Sequence, residues 1–253
     1  MATYVDNTWH LIQTHFSFVS LFRRLYSSKS VTTRISNMLI DKVGTKAVCV
    51  GRNYEKHAKE MGAQVTSNKG DPILFMKPTS SYIRGDHPIL LPVGAQVHHE
   101  VELGVVIGKR AKLVSADEAM GYVAGYVCCI DVTARNWQAK AKSEGTPWTI
   151  SKGCDTFLPM SDLIPAQKVS NPRNLDLWLK VNGEIRQSGN TKDMIFTIEE
   201  LISYTSKFIT LYEGDLLLTG TPEGVGPLED NDTVEAGLGE LTRIKFSCQR
   251  MSS

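Results

Sequence analysis

A chain of 253 residues with 42% hydrophobic and 22% charged side chains has the make-up of an ordinary soluble globular protein with a sizeable core. Its net charge of +1 gives no global field that would favour nucleic acid or an anionic membrane surface, and no apolar run reaches the length needed to cross a bilayer. Five cysteines, Cys49, Cys128, Cys129, Cys154 and Cys248, form an odd set without a CxxC spacing. They read as reduced, mostly buried thiols; a redox pair at Cys128 and Cys129 is the alternative, but nothing basic flanks them to lower a thiol pKa.

Residues 1–40 stand apart. Arg23, Arg24, Lys29 and Arg34 face a single acid, Asp6, with serines and aromatics between them. A basic, serine-rich, acid-poor leader is the composition of a mitochondrial or plastid transit peptide, with a cleavage point after Tyr26 in "RRLYSS". The alternative is an unstructured tail. Met38 can start a shorter, cytosolic form, and residues 41–253 are expected to form a single domain.

"KAVCVG" (46–51) predicts a short buried strand. Asn53 is placed to cap a following helix, "YEKHAKEM". His57 and Glu60 lie three apart on that helix and share a face. A carboxylate beside an imidazole raises its basicity and fixes its tautomer, as a general base requires; an exposed surface pair is the plainer alternative. The polar stretch 62–72 lacks periodicity and predicts a mobile loop, beside which the helix could act as a lid. "ILFMKP" and "HPILLP" predict strand pieces stopped by prolines.

"VHHEVELGVVIG" predicts a strand. Residues i and i+2 of a strand share a face, so Glu100 and Glu102 project side by side, roughly 7 Å apart along it, with His98 on the same side. Val101, Leu103 and Val105 take the other side, while Val106 carries the first side on into apolar surroundings. Either this is an edge strand with its polar face in water, or the two carboxylates hold a cation that relieves their repulsion. Ser115 and Glu118 form a capping box opening a short helix. "VAGYVCCIDVT" predicts a central strand ending at Asp131, where a lone acid is costly unless paired. Three carboxylates without a thiol suit Mg2+ or Mn2+, with Ca2+ less suited. A rival arrangement joins His98 to a carboxylate in a nonheme iron pattern, with His99 pointing away.

Arg135 and Gln138 follow Asp131 by four and seven residues and share a helix face if a helix begins there; Arg suits a carboxylate bidentately. Lys152, in "PWTISKGCDTF", is either a snorkelling surface lysine or a partly buried cation for an anionic substrate. In "LDLWLKVNGEIRQ", alternating apolar residues flank Asn182-Gly183 and predict a type I′ hairpin. Thr197 and Glu200 predict a second capping box and an amphipathic helix over "IEELISYTSKFI". "GDLLLTGTPEGVG" predicts a strand running into a glycine-rich turn that lacks a P-loop's Lys-Ser/Thr pair; Thr221 and nearby backbone N–H groups could still hold a small carboxylate. "LTRIKFSC" predicts a last alternating strand. Strands outnumber helices without regular alternation, which predicts a mostly β (α+β) fold.

Taken together, "VGRNYEKH", "FMKP", "HHEVELGVVIG", "CIDVTARNWQ", "PWTISKG" and "LTGTPEGVG", in this order over residues 45–250, resemble the fumarylacetoacetate hydrolase superfamily, and in particular its short mitochondrial single-domain members. The resemblance implies a mixed β-sheet roll and a homodimer. It implies Glu100, Glu102 and Asp131 as ligands of Mg2+ (Mn2+ as a substitute), His57 as catalytic base with Glu60 as its partner, and Lys152 as catalytic lysine. Arg135, Gln138 and Thr221 become substrate-contacting. One departure is Val50, which stands where larger members carry a fourth metal carboxylate. The implied chemistry is a stabilised enolate of a small 2-oxo acid in the mitochondrial matrix, with oxaloacetate keto–enol tautomerisation as the main activity. Acylpyruvate hydrolysis and oxaloacetate decarboxylation are the alternatives, and a non-catalytic metal-binding scaffold the remote one.

Overall fold

The computed structural model describes residues 37–60, 62 and 69–252. The leader expected at residues 1–40 falls almost wholly outside the described residues, as does most of the expected 62–72 loop. The first strands are β1 (Ala47–Gly51), β2 (Ile73–Lys77), β3 (Tyr82–Ile83), β4 (Ile89–Leu91), β5 (Val97–His99), β6 (Val101–Ile107), β7 (Val123–Ile130) and β8 (Thr133–Ala134). There follow β9 (Leu158–Pro159), β10 (Ile164–Pro165), β11 (Asp176–Val181), β12 (Glu184–Asn190), β13 (Leu216–Leu218), β14 (Gly226–Leu228), β15 (Thr233–Leu238) and β16 (Thr242–Arg250). The helices are α1 (Glu55–Glu60), α2 (Ala116–Ala119), α3 (Arg135–Glu144), α4 (Thr149–Lys152) and α5 (Ile198–Phe208).

The larger sheet runs β10-β7-β6-β13-β1-β2, and the second runs β12-β11-β15-β16-β4. Pairing is mixed: β1 lies parallel to β13 and antiparallel to β2. Val48, Leu103, Val105, Cys128, Ile130 and Leu217 project from the larger sheet into one core with Leu177, Leu179, Val234, Ala236 and Phe246 of the second. The opposite side of the larger sheet, with Ala47, Cys49, Val106, Val127, Cys129, Leu216 and Leu218, is covered by Ile40, Leu158 and Met160. Burial on both faces explains why "VAGYVCCI" is apolar without alternation. β16 has one wet face, so its residues alternate between exposed and buried. This is the mostly β, mixed-sheet architecture expected. Among the described residues no helix is long and apolar enough to cross a membrane.

Local signals resolve unevenly. Asn182 and Gly183 adopt φ of 52° and 86° between β11 and β12, the type I′ turn expected. Thr197 and Glu200 form both bonds of the capping box at α5. Ser115 does open α2 but makes no cap bond: its hydroxyl donates to Glu118 Oε2 at 2.8 Å instead. Asn53 is not a cap either. Its amide donates to Phe196 O (3.0 Å) and Thr219 O (2.8 Å) and accepts from Phe196 N (2.7 Å), so it ties the approach to α1 to distant chain.

The expected single strand over 97–107 is interrupted at Glu100. β5 joins a three-stranded sheet ordered β14-β5-β8, while β6 sits between β7 and β13 in the larger sheet. Every residue of β6 is buried, which overturns the edge-strand alternative. Val101, Leu103 and Val105 face the main core, and Val106 the other side. Glu102 shares the side of Val106 by the strand's two-residue period.

Candidate active site

Strand ends and three helices converge on one cleft. Its wall includes Glu100 from the β5–β6 junction, Glu102 from β6, His57 from α1, and Arg135, Gln138 and Lys142 from α3. Lys152 and Trp148 border it from the α4 region, Thr221 from the turn after β13, and Val50, Gly51, Arg52 and Phe75 from β1 and β2. Asp131, at the end of β7, is fully buried behind this wall.

Glu100, Glu102 and Asp131 offer oxygen atoms that all lie within 4.8 Å of one another, and no imidazole joins them among the described residues. The iron-type alternative with His98 fails because β5 leaves the sheet that carries Glu102. Burying three acids requires compensation. Glu100 Oε1 accepts from Arg135 (2.5 Å) and from the Thr133 hydroxyl (3.0 Å), and its Oε2 accepts from Lys152 Nζ (3.1 Å). Lys152 Nζ also donates to Asp131 Oδ2 at 2.7 Å. Glu102 Oε2 accepts from Gly220 N at 2.7 Å. Gly220 sits at φ +92°, and a side chain there would collide with Asn53, so the bond requires glycine.

Lys152 is buried, which overturns the snorkelling alternative. It sits 4.6 Å from the Phe75 ring centre, and although burial opposes its charge, Asp131 and Glu100 hold its pKa above the usual lysine range. Burial also pushes Glu100 upward, but Lys152, then Arg135 and His57, outweigh it and hold the carboxyl well below the usual range. Glu102 goes the other way: burial, then the charges of Asp131 and Glu100, push it well above.

Residues not singled out by the sequence complete this arrangement. Lys77, on β2, is fully buried and donates to Val132 O (2.9 Å) and to the Lys152 carbonyl. Its Nζ lies 2.9 Å from Asp131 Oδ1, off the angle of a hydrogen bond, and that oxygen has no hydrogen-bond partner. A lysine inside the apolar "ILFMKP" was the available signal. Gln187 on β12 is the other. Its Oε1 accepts from Val101 N (3.0 Å) and pairs with His99 Nδ1 (2.9 Å), while its Nε2 donates to Thr221 Oγ1 (2.8 Å) and Pro222 O (3.0 Å). One amide thus clamps the strand between the two glutamates to the Thr221 turn. The Thr221 hydroxyl itself donates to Val101 O at 2.8 Å.

His57 is buried, not an exposed helix-surface residue, and its Nδ1 lies 3.1 Å from Glu60 Oε2. Glu60 Oε1 accepts from Gly224 N at 3.3 Å. Arg135 donates to Gln138 Oε1 at 2.8 Å, so the two occupy one face of α3 as expected. The structure therefore brings eight of the nine sequence-derived site residues to the cleft or its floor, with Glu60 behind His57.

The donor set fits a hard divalent cation: three carboxylates, one with a buried oxygen lacking a hydrogen bond, and one held above the usual range by burial and by the charges of the other two. An ion entering here competes with the Glu102 proton. Because the Glu102 carboxyl is held above the usual range, we expect Mn2+ binding to be accompanied by proton release and its affinity to weaken as pH falls. Calorimetric titrations in two buffers of different ionisation enthalpy read this directly, and equal heats in both would refute it.

Comparison with known proteins agrees with this geometry. Residues 46–248 match the family Fumarylacetoacetate (FAA) hydrolase C-terminal. The chain is 51% identical over 220 residues to the mitochondrial oxaloacetate tautomerase FAHD1 of Arabidopsis thaliana, covering 87% of this chain and 96% of that protein. It is 48% identical over 208 residues to the mitochondrial oxaloacetate decarboxylase of Dictyostelium discoideum, covering 81% and 94%. The crystal structure of fumarylpyruvate hydrolase from Pseudomonas aeruginosa in complex with Mn2+ and pyruvate superposes with a TM-score of 0.78 at 33% identity, covering 82% and 91%. Motif order, sheet topology, carboxylate cluster and these similarities converge: the chain belongs to the fumarylacetoacetate hydrolase family of enzymes.

Proposed function

We propose that this chain is a Mg2+-dependent oxaloacetate keto–enol tautomerase, with Mn2+ able to substitute, acting on small 2-oxo acids in the mitochondrial matrix. The observation that carries the reading is the carboxylate cluster of Glu100, Glu102 and Asp131 in one cleft with an imidazole–carboxylate pair and a guanidinium. The names borne by relatives at about half identity, tautomerase in Arabidopsis thaliana and decarboxylase in Dictyostelium discoideum, support the substrate. Residues 1–40 act as the import leader, a start at Met38 gives a cytosolic form, residues 41–253 make one catalytic domain, and the active species is a homodimer.

Held by Glu100, Glu102 and Asp131, the ion supplies Lewis-acid stabilisation of charge developing on the 2-oxo oxygen. Arg135, braced by Gln138, binds the substrate carboxylate next to that carbonyl, and Thr221, which also lines the cleft, contacts the substrate. His57 takes a proton from the adjacent carbon through Nε2, because its Nδ1 is engaged by Glu60, which stabilises the imidazolium that forms. Lys152 presents a fixed ammonium to the developing oxyanion. Return of a proton to carbon or oxygen completes tautomerisation. Decarboxylation starts instead from the keto form: loss of the distal carboxylate as CO₂ sends its bonding pair into the 2-oxo group and leaves the enolate of pyruvate, which takes up a proton, and attack of water activated by His57 and Glu60 on the distal carbonyl of an acylpyruvate expels the same enolate.

The test follows enol-oxaloacetate loss in the ultraviolet with the full-length protein and Mg2+, assaying pyruvate at matched times. We expect rapid enol loss without pyruvate, and a His57→Ala variant slower by about 10²- to 10⁴-fold. No acceleration by the wild type would sink the tautomerase and bring acetylpyruvate cleavage forward. Unchanged turnover in His57→Ala would remove the base from the mechanism and revive the scaffold reading.

A further inference from the structure

Most charges of the cleft are matched. Arg135 and Lys152 engage Glu100, Lys152 also engages Asp131, and His57 pairs with Glu60. Two further cations of the cleft are left over. Arg52 follows β1 and Lys142 lies on α3, and both line the cleft. Among the described residues neither the Arg52 guanidinium nor the Lys142 ammonium has a hydrogen bond or a carboxylate partner. They nevertheless sense one another: burial, then the charges of Arg52 and Arg135, hold the Lys142 pKa below its usual value. An anion between them removes that repulsion.

Their setting is built rather than incidental. Arg52 adopts φ +60°, a conformation that a residue with a side chain adopts only under constraint and that concentrates at functional positions. The constraint is next door, where fully buried Asn53 is fixed by its three amide bonds. The Lys142 ammonium lies 5.2 Å from the Trp148 ring centre, and Trp148 in turn packs 5.7 Å from Phe75. An aromatic wall orients the cation and lowers the local dielectric, strengthening its pull on an anion.

We propose that Arg52 and Lys142 form a subsite for the second, distal carboxylate of the substrate and thereby select dicarboxylic 2-oxo acids over acylpyruvates with an uncharged end. This rests on the proposed 2-oxo acid activity and sharpens it. Arg135 anchors the carboxylate beside the reacting carbonyl, and Arg52 with Lys142 reads what lies at the other end. Two charge-assisted contacts discriminate by about ten- to a hundredfold.

The test compares kcat/KM for tautomerisation of oxaloacetate and of its 4-methyl ester, which differ in distal charge. The wild type should prefer the free acid by at least about tenfold. That preference should collapse in Lys142→Gln and in the Arg52→Gln/Lys142→Gln double variant, and return in Lys142→Arg. Raising ionic strength should erode it in the wild type. A preference that survives loss of both charges, or a wild type indifferent to the ester, overturns the subsite. If the double variant does not fold, Lys142→Gln alone decides. If the wild type accelerates neither compound, the functional reading has failed, and calorimetric binding of the same two compounds to the Mn2+-loaded protein reads the subsite independently. Tighter binding of the acid that levels in the variants upholds it; equal binding in the wild type removes it.

Discussion

Replacing Glu102 with glutamine is expected to abolish Mn2+ binding and to lower turnover on the order of 10³-fold, while leaving the metal-free protein at least as stable as the wild type. The side chain is buried, and Gln keeps its volume and can still accept from Gly220 N, the bond that positions the Thr221 turn. Gln is neutral throughout. In the metal-free protein an acid here is a burden, because burial and the neighbours Asp131 and Glu100 push the Glu102 carboxyl well up, so it is either charged against them or must take up a proton on folding. Gln avoids that cost. In the loaded enzyme the carboxylate is one of three metal ligands, and Lewis-acid stabilisation worth several kcal/mol depends on it. The expected signature is thus opposite in sign for folding and for function. Thermal melts without metal, a Mn2+ titration by electron paramagnetic resonance and the enol assay test it together. A stable variant that still binds Mn2+ and turns over at wild-type rate would remove Glu102 from the metal site. Glu102→Ala, which also frees the Gly220 N–H, should be the less stable of the two.

Replacing Lys152 with methionine is expected to hurt both properties. The ammonium is buried between Glu100 and Asp131 at 3.1 and 2.7 Å. Methionine matches its shape and leaves Arg135 and Lys77 as the cations in contact with the two acids. Removing one partner of a buried ionic set costs about 3 kcal/mol, and losing a fixed ammonium at the developing oxyanion costs turnover about 10²- to 10³-fold. Because the stability defect is a deficit of positive charge, a divalent ion should restore part of it by binding the folded state. Melting curves of Lys152→Met with and without Mn2+ read this. A melting temperature equal to the wild type's, or a defect untouched by Mn2+, would show that the lysine does not balance the carboxylate cluster.

What could be read from the sequence follows the range of the interactions. The hairpin at Asn182-Gly183 and the capping box at Thr197 and Glu200 close within a few residues, so the chain spells them locally. The Ser115–Glu118 box has the same spelling, yet the hydroxyl bonds the carboxylate directly, a competition between partners that composition does not decide. Asn53 carried a helix-start signal, but its partners are Phe196 and Thr219, the second brought near by β1 pairing with β13 and the first by the bridge between Tyr54 and Met194. The identities of Glu100, Glu102, Asp131, His57, Glu60 and Lys152 came through strand periodicity, helix spacing and ordered motifs. Whether Lys152 met the substrate or the acids did not, because the ends of β6 and β7 first bring it to Glu100 and Asp131. Arg52 and Lys142 were invisible for a like reason: what distinguishes them is that, among the described residues, neither has a carboxylate partner in space.

The interruption at Glu100 bears on how this chain can change over generations. One residue separates two strands that belong to different sheets. Upstream, His98 and His99 are held in register with β14; downstream, Glu102 is held opposite Cys129. There is no slack between them. A single inserted residue would turn either the imidazole of His99 or a carboxylate to the wrong side of its sheet, and a pair would displace Glu100 by roughly 7 Å. Residues here can drift in identity as far as burial allows, but the length of the stretch is frozen.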